Sequence, residues 1–413
     1  MTKRMLLAVL LLIVFALPAG CQKQGGEPTQ PTAPAPTILP TPTPEPSPTP
    51  TPDPVGEALA GMTVEQKAAQ LLVAGIEGTE PGEDAVQAVQ GYQVGGVILF
   101  GRNVESAEQL AALTNGLKEL NGDYTPLFLC VDQEGGRVDR MPPEVSRTPS
   151  AWSVGQTLDT EGVGVSYGEL LAAECAAFGF NMDFAPSLDI WSNPDNTVIG
   201  DRAFGNDWEW TAFFGMSAVE GMEKQGTVIP VVKHFPGHGD TAVDSHTALP
   251  VVDKTLEDLW QSELVPFDMV LSGQFWGEPV MEPTPAVMVA HILLSQIDPD
   301  NPASLSPEVV TGLLREEMGY EGVVCTDDLT MGAISNTYGM GEAAVLAVEA
   351  GCDLLLVCHG ADNLAEAHAA LVEAVDSGCI PEERLDESVY RVLSLKTVYG
   401  LSNAPVEAPD IEA

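Results

Sequence analysis

Three of the chain's six histidines, His234, His238 and His246, fall in one fifteen-residue stretch, Val232-Lys-His-Phe-Pro-Gly-His-Gly-Asp-Thr-Ala-Val-Asp-Ser-His246, together with Lys233, Asp240 and Asp244. A solvated face would carry charge without this much glycine and proline, and a core segment would not bury so many unpaired ionisable groups. The stretch therefore reads as a functional loop. Imidazole titrates near neutrality, so it can both give and take a proton, and a carboxylate beside it orients the ring and favours its charged form. His246, two residues after Asp244, is the candidate donor. A second candidate lies in Gly322-Val-Val-Cys-Thr-Asp-Asp-Leu-Thr-Met331. Breaking a glycosidic bond needs a carboxylate at the sugar carbon and a proton for the leaving oxygen, and Asp327 suits the first role. Its neighbour Asp328 points the other way and suits a turn-supporting cap. His234, His238, Asp244 and His246 are also metal-ligand types. Phe235-Pro-Gly237 between the first two prevents a helix from presenting both, and no His-x-His follows the first strand candidate, so neither metal nor cofactor is expected.

These residues need a scaffold that brings strand ends together. Apolar runs suited to strands recur at Gln70–Ile76, Gly95–Phe100, Leu127–Val131, Asn181–Ala185, Val228–Val232, Ala286–Ala290, Gly322–Cys325 and Asp353–Val357. Amphipathic helical patterns separate them at Ser106–Leu120, Glu161–Phe178, Trp208–Lys224, Ser306–Met318, Gly341–Ala350 and Asn363–Val375. Eight such units in one domain predict the α/β class and a (β/α)8 barrel of the TIM type. No Gly-x-Gly-x-x-Gly follows the first strand, which argues against a dinucleotide site. Polar residues follow the apolar runs directly: Asp132-Gln-Glu-Gly-Gly-Arg137, Asp189, Lys233-His234, His291, Thr326-Asp-Asp328 and His359. In a barrel these positions share the C-terminal rim, where active sites of this fold lie.

Composition bounds the rest. Lys3 and Arg4 precede an apolar run from Met5 to Phe15, and Leu17-Pro-Ala-Gly20 then meets Cys21. Residues 1–20 read as an export signal resembling that of a bacterial lipoprotein, with Cys21 the lipidated residue, although Pro18 stands where leucine is usual. Residues 21–54 are a Thr-Pro tether, 55–402 a single barrel domain and 403–413 an acidic disordered tail. The expected location is the outer face of the cytoplasmic membrane, reached only through the lipid anchor, with the protein a monomer. A formal charge of -43 excludes nucleic acid held by charge, because phosphate binding needs a cationic surface. The remaining cysteines sit mostly in apolar runs without metal or redox spacing and read as small buried hydrophobes.

Taken together, Lys233-His-Phe-Pro-Gly-His-Gly-Asp-Thr-x-x-Asp-Ser-His246, Asp132-Gln-Glu-Gly-Gly-Arg-Val138, Asp201-Arg-Ala-Phe-Gly205 and Thr326-Asp-Asp-Leu-x-Met331 resemble glycoside hydrolase family 3, in particular its β-N-acetylglucosaminidases. The resemblance spans the domain and implies a retaining exo-glycosidase acting on terminal N-acetylglucosamine. It implies Asp327 as nucleophile, His246 as general acid/base and Asp244 as its partner. It further implies that Asp132, Arg140, Arg202, Lys233 and His234 grip the sugar, with Arg137 a rival to Arg140. The implied substrates are glycan fragments, from peptidoglycan turnover in the first place. A phosphorylase with the same site and a sugar-binding lipoprotein are the competing readings.

Overall fold

The computed structural model describes residues 53–157, 162–241, 244–245, 248–275 and 277–410. The expected signal, Cys21 and all but the last residues of the tether lie outside these residues, as does His246.

Eight parallel strands close a barrel: β1 (Leu72–Gly75), β2 (Gly96–Ile98), β3 (Phe128–Val131), β4 (Met182–Asp183), β5 (Ile229–Phe235), β6 (Ala286–Val289), β7 (Val323–Asp328) and β8 (Leu354–Val357). Each pairs with its sequence neighbours, and β8 closes on β1 with Leu72 opposite Leu355. All eight begin within the apolar runs read from the sequence, but β5 and β7 each continue three residues beyond them, so Lys233, His234 and Asp327 lie in the strands rather than after them. Those runs look continuous rather than alternating because both faces of each strand are buried. Val73, Ile98, Phe128, Cys130, Met182, Val231, Met288 and Leu356 fill the interior. The residues between them, such as Leu72, Val97, Leu129, Val232 and Leu355, pack outward against the helices.

The main helices are α1 (Val64–Gln70), α2 (Ala107–Asn121), α3 (Val163–Ala177), α4 (Trp208–Glu223), α5 (Leu264–Ser272), α6 (Glu308–Glu317), α7 (Met340–Ala350), α8 (Ala361–Asp376) and α9 (Glu382–Val398). Their starts follow local capping chemistry: Ser106 accepts from the Gln109 N–H, Asp207 from that of Trp210, and Thr63 forms a capping box with Gln66. Helix α9 seals the N-terminal end of the barrel, where its Val392 and Leu395, with Tyr399 and Leu401 beyond it, join the interior core.

The expected tail needs correction at its start. Asn403 donates to the carbonyls of Gly122 and Tyr124 at 2.8 and 3.1 Å, and Val406 exchanges two backbone-to-side-chain hydrogen bonds of 2.8 Å with Asn115. These pairings hold the segment against α2 despite its acidic composition. Cys130, Cys175, Cys325, Cys352 and Cys358 are buried free thiols, whereas Cys379 is exposed.

Candidate active site

The C-terminal strand ends surround a polar cavity of about 230 Å³, lined among others by Asp132, Glu134, Arg140, Arg202, Lys233, His234, His238 and Asp327. Every substrate-gripping residue expected from the sequence is therefore on its wall. They come from β3, β5 and the loop after β4, and the barrel closure makes them neighbours.

Lys233, at the end of β5, is the centre of this wall. Its Nζ lies 2.5 Å from Asp132 Oδ1 and 2.6 Å from Glu134 Oε1, with the side chain only 1% exposed. Burial alone would lower its pKa, but Asp132 and then Glu134 outweigh it and the pKa is raised, so the ammonium is permanent at neutral pH. Arg202 forks onto the same Glu134 through Nε and Nη2, both at 2.8 Å. Burial pushes the Glu134 carboxyl up, while Arg202 and Lys233 together hold it well below the usual carboxylate range. Sequence reading left Glu134 without a role; its place two residues after Asp132, on the same side of an extended segment, was the available signal.

The tautomer of His234 follows from its partners. Arg202 Nη2 sits 3.2 Å from His234 Nε2, and a guanidinium can only donate, so Nε2 accepts and the proton is on Nδ1. That Nδ1–H meets Asp189 Oδ2 at 2.6 Å. Asp189 also accepts from the Ser187 hydroxyl at 2.8 Å and, through Oδ1, from the His238 backbone N–H at 2.6 Å. Its carboxyl is fully buried, yet His234, His238 and these donors hold its pKa below the usual range. One aspartate thus fixes both the His234 ring and the start of the histidine-rich loop.

That loop is strapped down over its first half. Asn196 Nδ2 donates to the carbonyl of His238 at 2.8 Å and to that of Gly239 at 3.2 Å. The His238 ring spans Thr241 Oγ1 at 2.8 Å and Ser245 Oγ at 3.1 Å. Gly239 is needed for packing, since a Cβ there would lie 1.7 Å from the Ile190 carbonyl oxygen. Gly237 has a φ of 125°, where side chains are strained. Asp244 is partly buried, and Ser245 is buried and lines the cavity beside Asp327.

Asp327 projects from the end of β7 and accepts a 2.8 Å hydrogen bond from the Asp328 N–H. Burial raises its pKa, but His291, His234, the Asp328 N–H and Lys233 outweigh that and leave it lowered. Burial also drives His291 towards its neutral form, so at neutral pH the permanent charge of Lys233 and the fixed N–H dipole carry the effect. Asp327 is an ionised carboxylate facing a polar cavity. Asp328 also borders the cavity, but its carboxylate is engaged, accepting from the Thr330 N–H at 2.9 Å, the Thr330 hydroxyl at 2.5 Å and the Cys358 N–H at 3.1 Å. The turn-supporting task expected for Asp328 is seen in these three hydrogen bonds.

Arg137 and Arg140 also divide. Arg137 donates to the carbonyls of Thr197, Val198 and Ile199, each at 2.7 Å, and pairs with Asp201 at 2.9 Å, which straps the loop after β4. Arg140 lines the cavity, and its buried Nε has no partner. A buried donor without an acceptor is costly, which sets Arg140 apart from the fully paired Arg137. Among the described residues, no group of three His, Cys, Asp or Glu is placed to hold a metal ion.

The C-terminal rim of this parallel barrel gathers an ionised aspartate and a set of paired cations and carboxylates around one cavity. Residues 63–395 match the glycosyl hydrolase family 3 N-terminal domain, and the chain belongs to that family. It is 33% identical over 341 residues to β-hexosaminidase A of Pseudoalteromonas piscicida, covering 77% of this chain and 56% of that protein. It is 37% identical to the β-hexosaminidase of Methylococcus capsulatus, over 68% of this chain and 80% of the other. Among solved structures, a family 3 β-N-acetylglucosaminidase from Paenibacillus superposes with a TM-score of 0.78 at 44% identity, covering 83% of this chain and 63% of that one. The chain thus spans less than two thirds of the Pseudoalteromonas and Paenibacillus proteins.

Proposed function

We propose that the chain is a retaining β-N-acetylhexosaminidase that removes terminal N-acetylglucosamine from the nonreducing end of glycans. The observation that carries this reading is the ionised, partly exposed carboxylate of Asp327, set across one polar cavity from Asp132, Arg202, Lys233 and His234. The relatives described as β-hexosaminidases support the same sugar and linkage. In the first step the Asp327 carboxylate attacks the anomeric carbon as the glycosidic C–O bond breaks, and His246 gives its proton to the leaving oxygen. In the second, His246 takes a proton from water, whose oxygen displaces Asp327 and releases the sugar. Asp244 orients His246 and favours its charged form. Lys233 and Arg202 hold the sugar by donating to its oxygens, while Asp132 accepts from its hydroxyls.

The natural substrates proposed are peptidoglycan fragments. Lipid on Cys21 is proposed to hold a monomeric enzyme at the outer face of the cytoplasmic membrane. Loss of membrane partitioning in Cys21→Ser tests the anchor, and an unaltered distribution counts against it. The activity is tested by release of para-nitrophenol from its β-N-acetylglucosaminide, with and without phosphate, for wild type, Asp327→Ala and His246→Ala. The expected outcome is phosphate-independent turnover in wild type, lowered by about 10⁴-fold in kcat for Asp327→Ala. Phosphate-dependent turnover, or an inert wild type that still binds the sugar, contradicts the reading.

A further inference from the structure

The cavity wall facing the Lys233 and His234 cluster is built on different lines. In the closed strand order β1 lies opposite β5, and its neighbours β2 and β8 lead into Phe100 and His359. These two rings stack across the end of β1, with centroids 5.7 Å apart and planes inclined by 23°. Both line the catalytic cavity. Gly75 at the end of β1 makes the approach possible, since a Cβ there would lie 2.0 Å from the Cys358 carbonyl oxygen.

The pair is held from outside. The Arg102 guanidinium lies 4.6 Å from the centre of the Phe100 ring, and it donates to the carbonyls of Ile76 and Cys358 at 3.3 and 3.0 Å. Asn363 Nδ2 donates to the His359 carbonyl at 2.8 Å. The His359 side chain is nevertheless 54% exposed, so part of its ring remains open to solvent at the cavity. Its nearest carboxylate oxygen, Asp328 Oδ2 at 3.9 Å, already accepts from Thr330. Neither ring is used by the nucleophile, the proton donor or the groups that grip the terminal sugar.

We infer that Phe100 and His359 form the leaving-group platform, on which the pyranose next to the scissile bond lays its C–H face. The half-exposed His359 ring, backed by Phe100 and Arg102, suits an apolar sugar face, while the polar wall opposite suits hydroxyls and an acetamido group. The substrate class that follows is a glycan whose leaving group is itself a sugar ring, rather than a small alcohol. This inference rests on the hexosaminidase reading.

The test uses the full chain, as wild type, His359→Ala and His359→Phe, on two substrates: N,N′-diacetylchitobiose, and β-N-acetylglucosaminyl azide, whose leaving group has no ring. His359→Ala is expected to lower kcat/KM for the disaccharide by roughly three- to tenfold, the range of a single ring-stacking contact, and to affect the azide distinctly less. His359→Phe, which keeps a ring, is expected to recover most of the disaccharide activity. Equal losses on both substrates, no loss on either, or a Phe variant as poor as the Ala variant overturns the platform. A wild type inert towards both substrates removes the hexosaminidase reading and the platform with it.

Discussion

Two clusters of buried charge sit at opposite ends of the barrel. At the N-terminal end, Asp353 is fully buried and meets Arg315 Nη2 at 2.5 Å, the Ser388 hydroxyl at 2.6 Å, the Val324 N–H at 3.0 Å and Arg391 Nη1 at 3.2 Å. Every direction around it is occupied, and it ties β7, α6 and α9 into one end of the domain. At the C-terminal end Glu134 is buried, but Asp132 and Asp327 are only partly buried, and their partners leave one side open. Asp327 takes one N–H bond from its own neighbour and faces the cavity, while Arg140 carries an unpartnered buried Nε. Buried charge marks a structural clamp in the first case and a site in the second. The distinguishing feature is polar capacity left pointing into a shared space.

The largest stability effect is expected from emptying the closed cluster. Asp353→Ala leaves the half-buried Arg315 and Arg391, the Ser388 hydroxyl and the buried Val324 N–H without their carboxylate, and should destabilise the fold by about 2–4 kcal/mol in denaturant unfolding, with kcat of the folded fraction retained. A comparable loss of kcat at full folding would break the contrast between the two ends. Glu134→Gln keeps the shape but removes the charge that Lys233 and Arg202 share. Its kcat/KM is expected to fall roughly tenfold to a hundredfold, as expected for losing charged hydrogen bonds. Kinetics like those of wild type would mean that the ion pairs of Glu134 do not position Lys233 and Arg202 for turnover.

Lys396 gives the smallest and most selective test. Its amine is buried at the N-terminal end, donating to Gln70 Oε1 at 2.9 Å and the Gly95 carbonyl at 2.8 Å with no carboxylate partner. Burial pushes its pKa down to about 7, against about 10.4 in an unfolded chain. Between these values the unfolded chain holds more protons, so folding stability rises with pH. Thermal unfolding should show wild type gaining on Lys396→Met between pH 7 and 9, with the catalytic pH profile unmoved. A difference between the two that is constant with pH would contradict that titration.

The contrast between the ends also explains what was legible in the sequence. All eight strands could be read because a parallel barrel buries both faces of each strand, which leaves short apolar runs bounded by polar rim residues. Helix α5, in Leu264-Val-Pro-Phe-Asp-Met-Val-Leu-Ser272, carries too little polar residue to show a helical period, and Pro266 masks it further. The short hairpin pairing Gln274–Phe275 with Glu278–Pro279 was equally hidden, because two-residue strands have no measurable alternation. At the site, motif position indicated Asp132, Arg140, Arg202, Lys233, His234 and Asp327, and all line the cavity. What could not be read was pairing between distant segments. Glu134 shared by Lys233 and Arg202, Asp189 serving both His234 and the His238 backbone, and the Phe100 and His359 stack exist only once the strands close. The separate tasks of Arg137 and Arg140, three residues apart, likewise depend on which carbonyls the loop after β4 presents.

The central claim is that Asp327 becomes covalently bonded to the sugar. Incubating the enzyme with a fluorinated N-acetylglucosaminyl donor that stalls after the first step, followed by peptide mass mapping, tests it directly. One sugar added to the peptide bearing Asp327, absent in Asp327→Ala, is the predicted result; a sugar on another residue, or steady consumption of the donor with no adduct on the wild-type enzyme, would contradict it.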